Sequence, residues 1–239
     1  MARTSIAAMA LVLCGVAGAQ NAPTSAGIHE LTLPGSERRY TVSIPRGYTG
    51  RDPVPLVVSL HFGGEVTPFF GRGLLELLVE PALRQLGAIV VAPDAAAGVR
   101  GWANPESEKH VLELAEHILA SYNIETRKTL LIGYSMGGMG TWYIAPRHPE
   151  IFRAAIPMAG RPQDAAASFE WATPMYVIHS TADELIPLEP TETLVAELRA
   201  RGAPIELTVV DRITHFQMAR FQPLLRDAVP WIREAWARE

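Results

Sequence analysis

The chain has 239 residues, 48% of them hydrophobic and 19% charged, enough for one sizeable core and a single α/β domain. Its formal charge is −4 and its 21 basic residues are scattered without a basic run, which argues against a nucleic-acid partner. The histidines lack short paired spacing with Cys or carboxylates, and no phosphate-binding loop is present, so neither a metal nor another cofactor is expected.

Residues 1–19 read as a signal peptide. Arg3 supplies the positive n-region, Ile6 to Val16 is apolar, and Ala17-Gly18-Ala19 is an A-x-A cleavage site that leaves Gln20 as the mature N-terminus. The apolar stretch is short for a membrane span, so no stable insertion is expected after cleavage. The protein is expected to be secreted or periplasmic. Lipid anchoring at Cys14 is disfavoured, because bulky Leu13 stands where a small residue is needed. Cys14 is the sole cysteine, so the mature chain is expected to hold no disulfide.

Residues 20–239 then form the folded domain. Asn21 to Gly27 reads as a small, polar leader, and His29 is counted with that leader. Arg39 to Pro45 alternates with period two, a half-buried strand. Pro55 to Leu60 and Ala88 to Ala92 are continuous apolar runs, as expected of central strands covered on both faces. Between them, Leu74 to Leu86 has helical spacing interrupted by Pro81. Glu106 to Tyr122 is an amphipathic helix. Leu130-Leu131-Ile132 begins a strand that runs into Gly133-Tyr134-Ser135-Met136-Gly137 and on into a helix.

That strand–turn–helix context makes the G-x-S-x-G a nucleophile elbow with Ser135 at its apex. A serine hydroxyl is a poor nucleophile, so it must stand clear of the sheet within reach of a base. The N–H of Met136 opens the following helix and can face a developing oxyanion.

Further strands follow at Arg153 to Met158, Pro174 to Ile178 and Ile205 to Val210, with a helix over Pro190 to Ala200 and a final helix, broken by Pro223 and Pro230, from about Phe216 to Trp236. His215 lies past the last strand and is the candidate base; His179 ends its own strand and is expected to pack there. Asp183 follows the strand before and is the candidate acid, with Asp211 and Glu184 as competitors. The loop His61-Phe62-Gly63-Gly64 follows the first central strand and supplies the second oxyanion donor, Gly63 or alternatively Phe62, with His61 holding the loop. Phe62, Trp102 and Phe216 are candidate pocket residues; Trp102 either walls the pocket or packs over the sheet edge.

Strand and helix alternate, which predicts a mostly parallel central sheet with helices on both faces and no large lid, the ligand lying outside the strand C-termini. The chain resembles the α/β-hydrolase superfamily over nearly all of its mature region. Within it, it is similar to small secreted serine esterases related to polyhydroxyalkanoate depolymerases and feruloyl esterases, and to prolyl-oligopeptidase-like hydrolases. The resemblance is carried by Tyr40 to Tyr48, His61-Phe-Gly-Gly64, Tyr122 to Glu125, Gly133 to Trp142, His148 to Phe152, Asp183 to Pro187 and Thr214-His215. It departs from the family's His-Gly pattern at Phe62. It implies a Ser135–His215–Asp183 triad acting on a small-molecule or polymer-borne ester, in a monomer. A peptidase, an acyltransferase and a non-catalytic binding protein are the other readings of the same residues.

Overall fold

A computed structural model describes residues 22–96, 101–162 and 171–238. The signal peptide with its cleavage site and Cys14, where lipid anchoring is disfavoured, and much of the connection between 159 and 173 lie outside the described residues.

Eight strands form one sheet. They are β1 (Gly27–Thr32), β2 (Arg39–Ile44), β3 (Val54–Leu60), β4 (Ile89–Pro93), β5 (Ile124–Tyr134), β6 (Ala154–Met158), β7 (Met175–Ser180) and β8 (Ile205–Val210). Their spatial order is β1-β2-β4-β3-β5-β6-β7-β8. β1 pairs with β2, and β2 with β4, antiparallel; every pair from β4 to β8 is parallel. The parallel strands need long crossovers, which place the helices on the two faces of the sheet.

Period-two geometry divides each apolar run between the faces. On β3, Leu56, Val58 and Leu60 join one core, with Trp142 of α4 (Met136–Ile144) and the apolar stripe of α3 (Pro105–Ser121), Val111, Leu114 and Ile118. Val57 turns to the other core, with Leu74 of α1 (Gly71–Leu74), Leu83 of α2 (Glu80–Leu83), Phe221 of α6 (Phe221–Asp227) and Ile232 of α7 (Val229–Ala237). Leu194, Val195 and Leu198 of the helix Glu189–Ala200 (α5) close the first core. No helix among the described residues is long and apolar enough to cross a membrane.

Three local expectations are revised. Gly27–Thr32 is a strand rather than the end of a leader: it lies at the sheet edge and is only partly buried, so its apolar signal is weak. The helix expected over Leu74 to Leu86 is α1 and α2 joined by a π-helical stretch, Leu75–Val79, and it ends in a 3-10 turn, Arg84–Leu86. Glu80 N–H reaches Leu75 O, five residues back. That wider turn accommodates Pro81, which has no N–H and whose ring crowds the preceding turn. The last helix begins at Phe221 after a 3-10 turn and divides into α6 and α7, Pro230 standing in the first turn of α7.

Candidate active site

Ser135 sits between β5 and α4 with φ 54° and ψ −115°. A non-glycine residue held there costs about 1–3 kcal/mol, so the surroundings must enforce it. Ser135 N–H donates to Met158 O at the end of β6 (2.9 Å), and Met139 N–H donates to Ser135 O (2.9 Å). Strand and helix also pass too close for side chains. A Cβ on Gly133 would lie 2.1 Å from Gly137 O, and one on Gly137 would lie 1.8 Å from Leu60 O.

The candidate acid and base arrive from the ends of β7 and β8, one and two strands beyond the elbow strand's neighbour β6. His215 Nε2 is 2.8 Å from Ser135 Oγ. His215 Nδ1 is 2.8 Å from Asp183 Oδ2 and 3.0 Å from Oδ1. The carboxylate can only accept, so Nδ1 carries the proton and Nε2 is left to accept from the serine hydroxyl. All three residues are buried but reachable, at 9%, 5% and 9% exposure for Ser135, His215 and Asp183.

Each partner is held in turn. Asp183 Oδ1 accepts from Leu185 N–H (3.0 Å) and Ile186 N–H (2.7 Å). Tyr134 O–H, at the foot of the elbow, donates to His215 O (2.7 Å). Burial raises the Tyr134 pKa above the usual tyrosine range, with Asp183 and Glu184 adding to it, so the hydroxyl stays a donor. Glu184 Oε2 accepts from His215 N–H (2.8 Å) and so ties the base loop to the acid loop. Asp211, the other candidate acid, accepts from Thr181 O–H (2.8 Å) on the exposed side of β8. It makes no contact with His215 among these bonds.

The loop after β3 lies across from Ser135. Ala95 N–H donates to His61 Nε2 (3.0 Å), so the proton is on Nδ1, which donates to Phe62 O (2.6 Å). Burial lowers the His61 pKa and keeps the ring neutral. His61 therefore holds the loop, as expected from sequence. A Cβ on Gly63 would stand 3.8 Å from Met136 Sδ, so the two residues expected to supply the oxyanion donors face each other.

The three candidate pocket residues differ. Phe216 is 78% exposed, and its ring stands 5.7 Å from His215's, nearly perpendicular. Phe62 is half-buried against Phe70 (5.3 Å between centroids). Trp102 is not a pocket wall. It is fully buried, donates from Nε1 to His61 O (2.9 Å), and packs against Gly140, where a Cβ would come within 2.2 Å of its own. Its indole lies between Gly140 of α4 and the loop after β3, where its N–H finds an acceptor. Two residues at the site carried no sequence signal of their role. Glu184 braces the His215 backbone, and His179 lies fully buried beside Asp183. No group of three or more His, Cys, Asp or Glu among the described residues could hold a metal ion.

Comparison with known proteins places the chain among hydrolases. The sequence profile of the dienelactone hydrolase family matches residues 78–224. A bifunctional acetylxylan esterase/xylanase of Neocallimastix patriciarum is 25% identical over 147 residues, 61% of this chain but 22% of that protein. A Salmonella typhi protein provisionally named a carboxymethylenebutenolidase is 26% identical over 234 residues, 90% of this chain and 85% of that one. The crystal structure of a thermostable esterase superposes with a TM-score of 0.72 at 24% identity, over 87% of this chain and 62% of that chain. The chain thus spans less than two thirds of the length of the first and the last of these.

Proposed function

The chain belongs to the dienelactone hydrolase family, and on that premise we propose that it hydrolyses carboxylic esters through a serine acyl-enzyme. The observation that carries the reading is the continuous hydrogen-bond path Ser135 Oγ–His215 Nε2, His215 Nδ1–Asp183 Oδ2, each step 2.8 Å, leading from a strained serine. In the first half-reaction His215 Nε2 takes the hydroxyl proton as Ser135 Oγ bonds to the ester carbonyl carbon. Asp183 keeps the imidazole in its Nδ1–H form and balances the imidazolium charge. His215 then hands that proton to the leaving alcohol as the C–O bond breaks. Water enters by the same base and releases the acid, restoring Ser135.

The oxyanion is held by the N–H of Met136, which as the first residue of α4 has no intrahelical acceptor, and by that of Gly63. A trans peptide sets its N–H opposite its C=O. Phe62 O is bound by the His61 ring, so the Gly63 N–H turns away from that ring. This favours Gly63 over Phe62 as the donor. Phe216 and Phe62 border the acyl or alcohol side, which suits a small-molecule or polymer-borne ester. We further infer export of a monomer whose mature chain begins at Gln20, which the intact mass of exported protein and its elution volume test.

The decisive experiment labels the protein with a fluorophosphonate and follows p-nitrophenyl acetate hydrolysis beside Ser135→Ala. The expected result is one adduct, on Ser135, and a loss of kcat of about 10⁶-fold in the variant. Hydrolysis by Ser135→Ala at the parent's rate, with no adduct in the parent, would refute the mechanism.

A further inference from the structure

His179 occupies the fifth position of β7 and is fully buried. Its Nε2 lies 2.9 Å from Ile186 O, an acceptor, so that nitrogen carries the proton. The same Nε2 stands 3.5 Å from Asp183 Oδ2. Ile186 is thereby gripped on both sides: its N–H by the Asp183 carboxylate and its C=O by the His179 ring. His179 Nδ1 has no hydrogen-bond partner among the described residues. An apolar side chain of the same volume would fill this place without the desolvation penalty of an unpaired buried nitrogen. The polar ring is thus tied to the acid turn at a cost that packing alone does not require.

We propose that His179 is a positioning residue for the acid of the triad: its Nε2–H pins the Asp183–Ile186 turn and borders Oδ2, so that the carboxylate keeps both oxygens on His215 Nδ1. The proposal rests on the reading of Asp183 as the triad acid. The charged and titratable groups that face the ring are Asp183, His215 and Glu192. Burial holds His179 below the ordinary histidine range, so the ring stays neutral and keeps its single proton on Nε2. A neutral donor suits the place. It steadies the carboxylate without competing, as a cation would, for the charge that must meet the imidazolium.

The near-isosteric pair His179→Met and His179→Gln separates donation from volume. Both variants, with the parent, Ser135→Ala, Asp183→Asn and the double change H179M/D183N, are assayed for p-nitrophenyl acetate kinetics, fluorophosphonate labelling rate and thermal midpoint. Methionine is expected to lower kcat about 10–100-fold, the loss seen when a hydrogen bond that orients a metal ligand is removed and taken here for the orienting bond at Asp183, with KM within about twofold. Glutamine, whose amide N–H reaches the position of Nε2, restores most of it. In the Asp183→Asn background the methionine change adds little, because residues acting through one another are non-additive. A folded His179→Met with the parent's kcat overturns the role, as does full additivity with Asp183→Asn or an equal loss in the glutamine and methionine variants. Should His179→Met not fold, His179→Asn, whose shorter amide falls short of the Ile186 carbonyl, is read by the same outcomes. A parent with no Ser135-dependent turnover overturns the serine mechanism itself, and the His179 role with it.

Discussion

Substituting Gly137 by alanine tests how tightly the elbow is built. In an ordinary helix Gly→Ala gains about 1 kcal/mol. Here the new Cβ would meet Leu60 O at 1.8 Å, Leu60 C at 2.5 Å and His61 O at 2.8 Å, all of them backbone atoms that cannot rotate away. The gap to Leu60 O must open by about 1.6 Å to reach ordinary contact, taken as about 3.4 Å between such atoms. Since β3 is held on both sides by β4 and β5, the displacement falls on α4 and the elbow. A shift of about 1 Å at reacting groups costs about 10²-fold in rate. It would also draw the Met136 N–H off the oxyanion, a loss of about 10²–10³-fold by itself. Overpacking costs about 1–3 kcal/mol, which in a domain of this size lowers the melting temperature by several degrees, at about 2–4 °C per kcal/mol. Gly73 is the control: a Cβ there meets nothing within 4 Å, so Gly73→Ala is expected to stabilise by about 0.4–1 kcal/mol and leave turnover alone. Thermal melts and p-nitrophenyl acetate kinetics on both variants decide the matter. A Gly137→Ala protein with the parent's melting temperature and kcat within a few-fold would refute this account of the elbow.

Phe216→Ala is expected to leave stability within about 0.5 kcal/mol, as for other exposed positions, while raising KM for aryl and long-chain esters and sparing the acetyl ester; equal KM changes across the series would remove Phe216 from substrate contact. Acid stability gives another test. His110 is buried and its pKa is lowered to about 4, by burial first and by Arg38 second. Its folded pKa lies below the unfolded value, so the unfolded chain binds the extra proton between the two. Stability present above pH 6.5 is therefore lost as pH falls towards 4, by about 3 kcal/mol at most. Urea midpoints between pH 7 and 4 should fall less steeply for His110→Leu than for the parent, and parallel curves would contradict the assignment.

The meeting of Ser135, His215 and Asp183 was legible in the sequence because each follows a strand whose apolar run marks where it ends. In a parallel sheet those ends converge, so Ser135 after β5, Asp183 after β7 and His215 after β8 had few other places to go. The central strands β3 and β4 were legible for a related reason: buried on both faces, they read as unbroken apolar runs. β1 was not, since a half-exposed edge strand needs only intermittent apolar residues. The direction in which a side chain leaves a loop was also beyond reach. Trp102 could have faced substrate or core with equal propensity, and only the acceptor on His61 and the space left by Gly140 decide for the core. His179 and Glu184 were read as a packed strand end and a weak rival to Asp183. Their roles depend on the fold of a four-residue turn, which periodicity does not encode.

The spread of the triad along the chain has a consequence for when the protein can act. Ser135 and His215 are 80 residues apart, and the acid lies between them. During synthesis at about 5–20 residues per second, the nucleophile precedes its base by on the order of ten seconds. The centre of the sheet can form in that interval, so the elbow can be set, but an unassisted serine hydroxyl does little. On the mechanism proposed above, activity waits for the edge strand β8 to close beside β7. A chain held unfolded before that point carries Ser135 without His215 beside it.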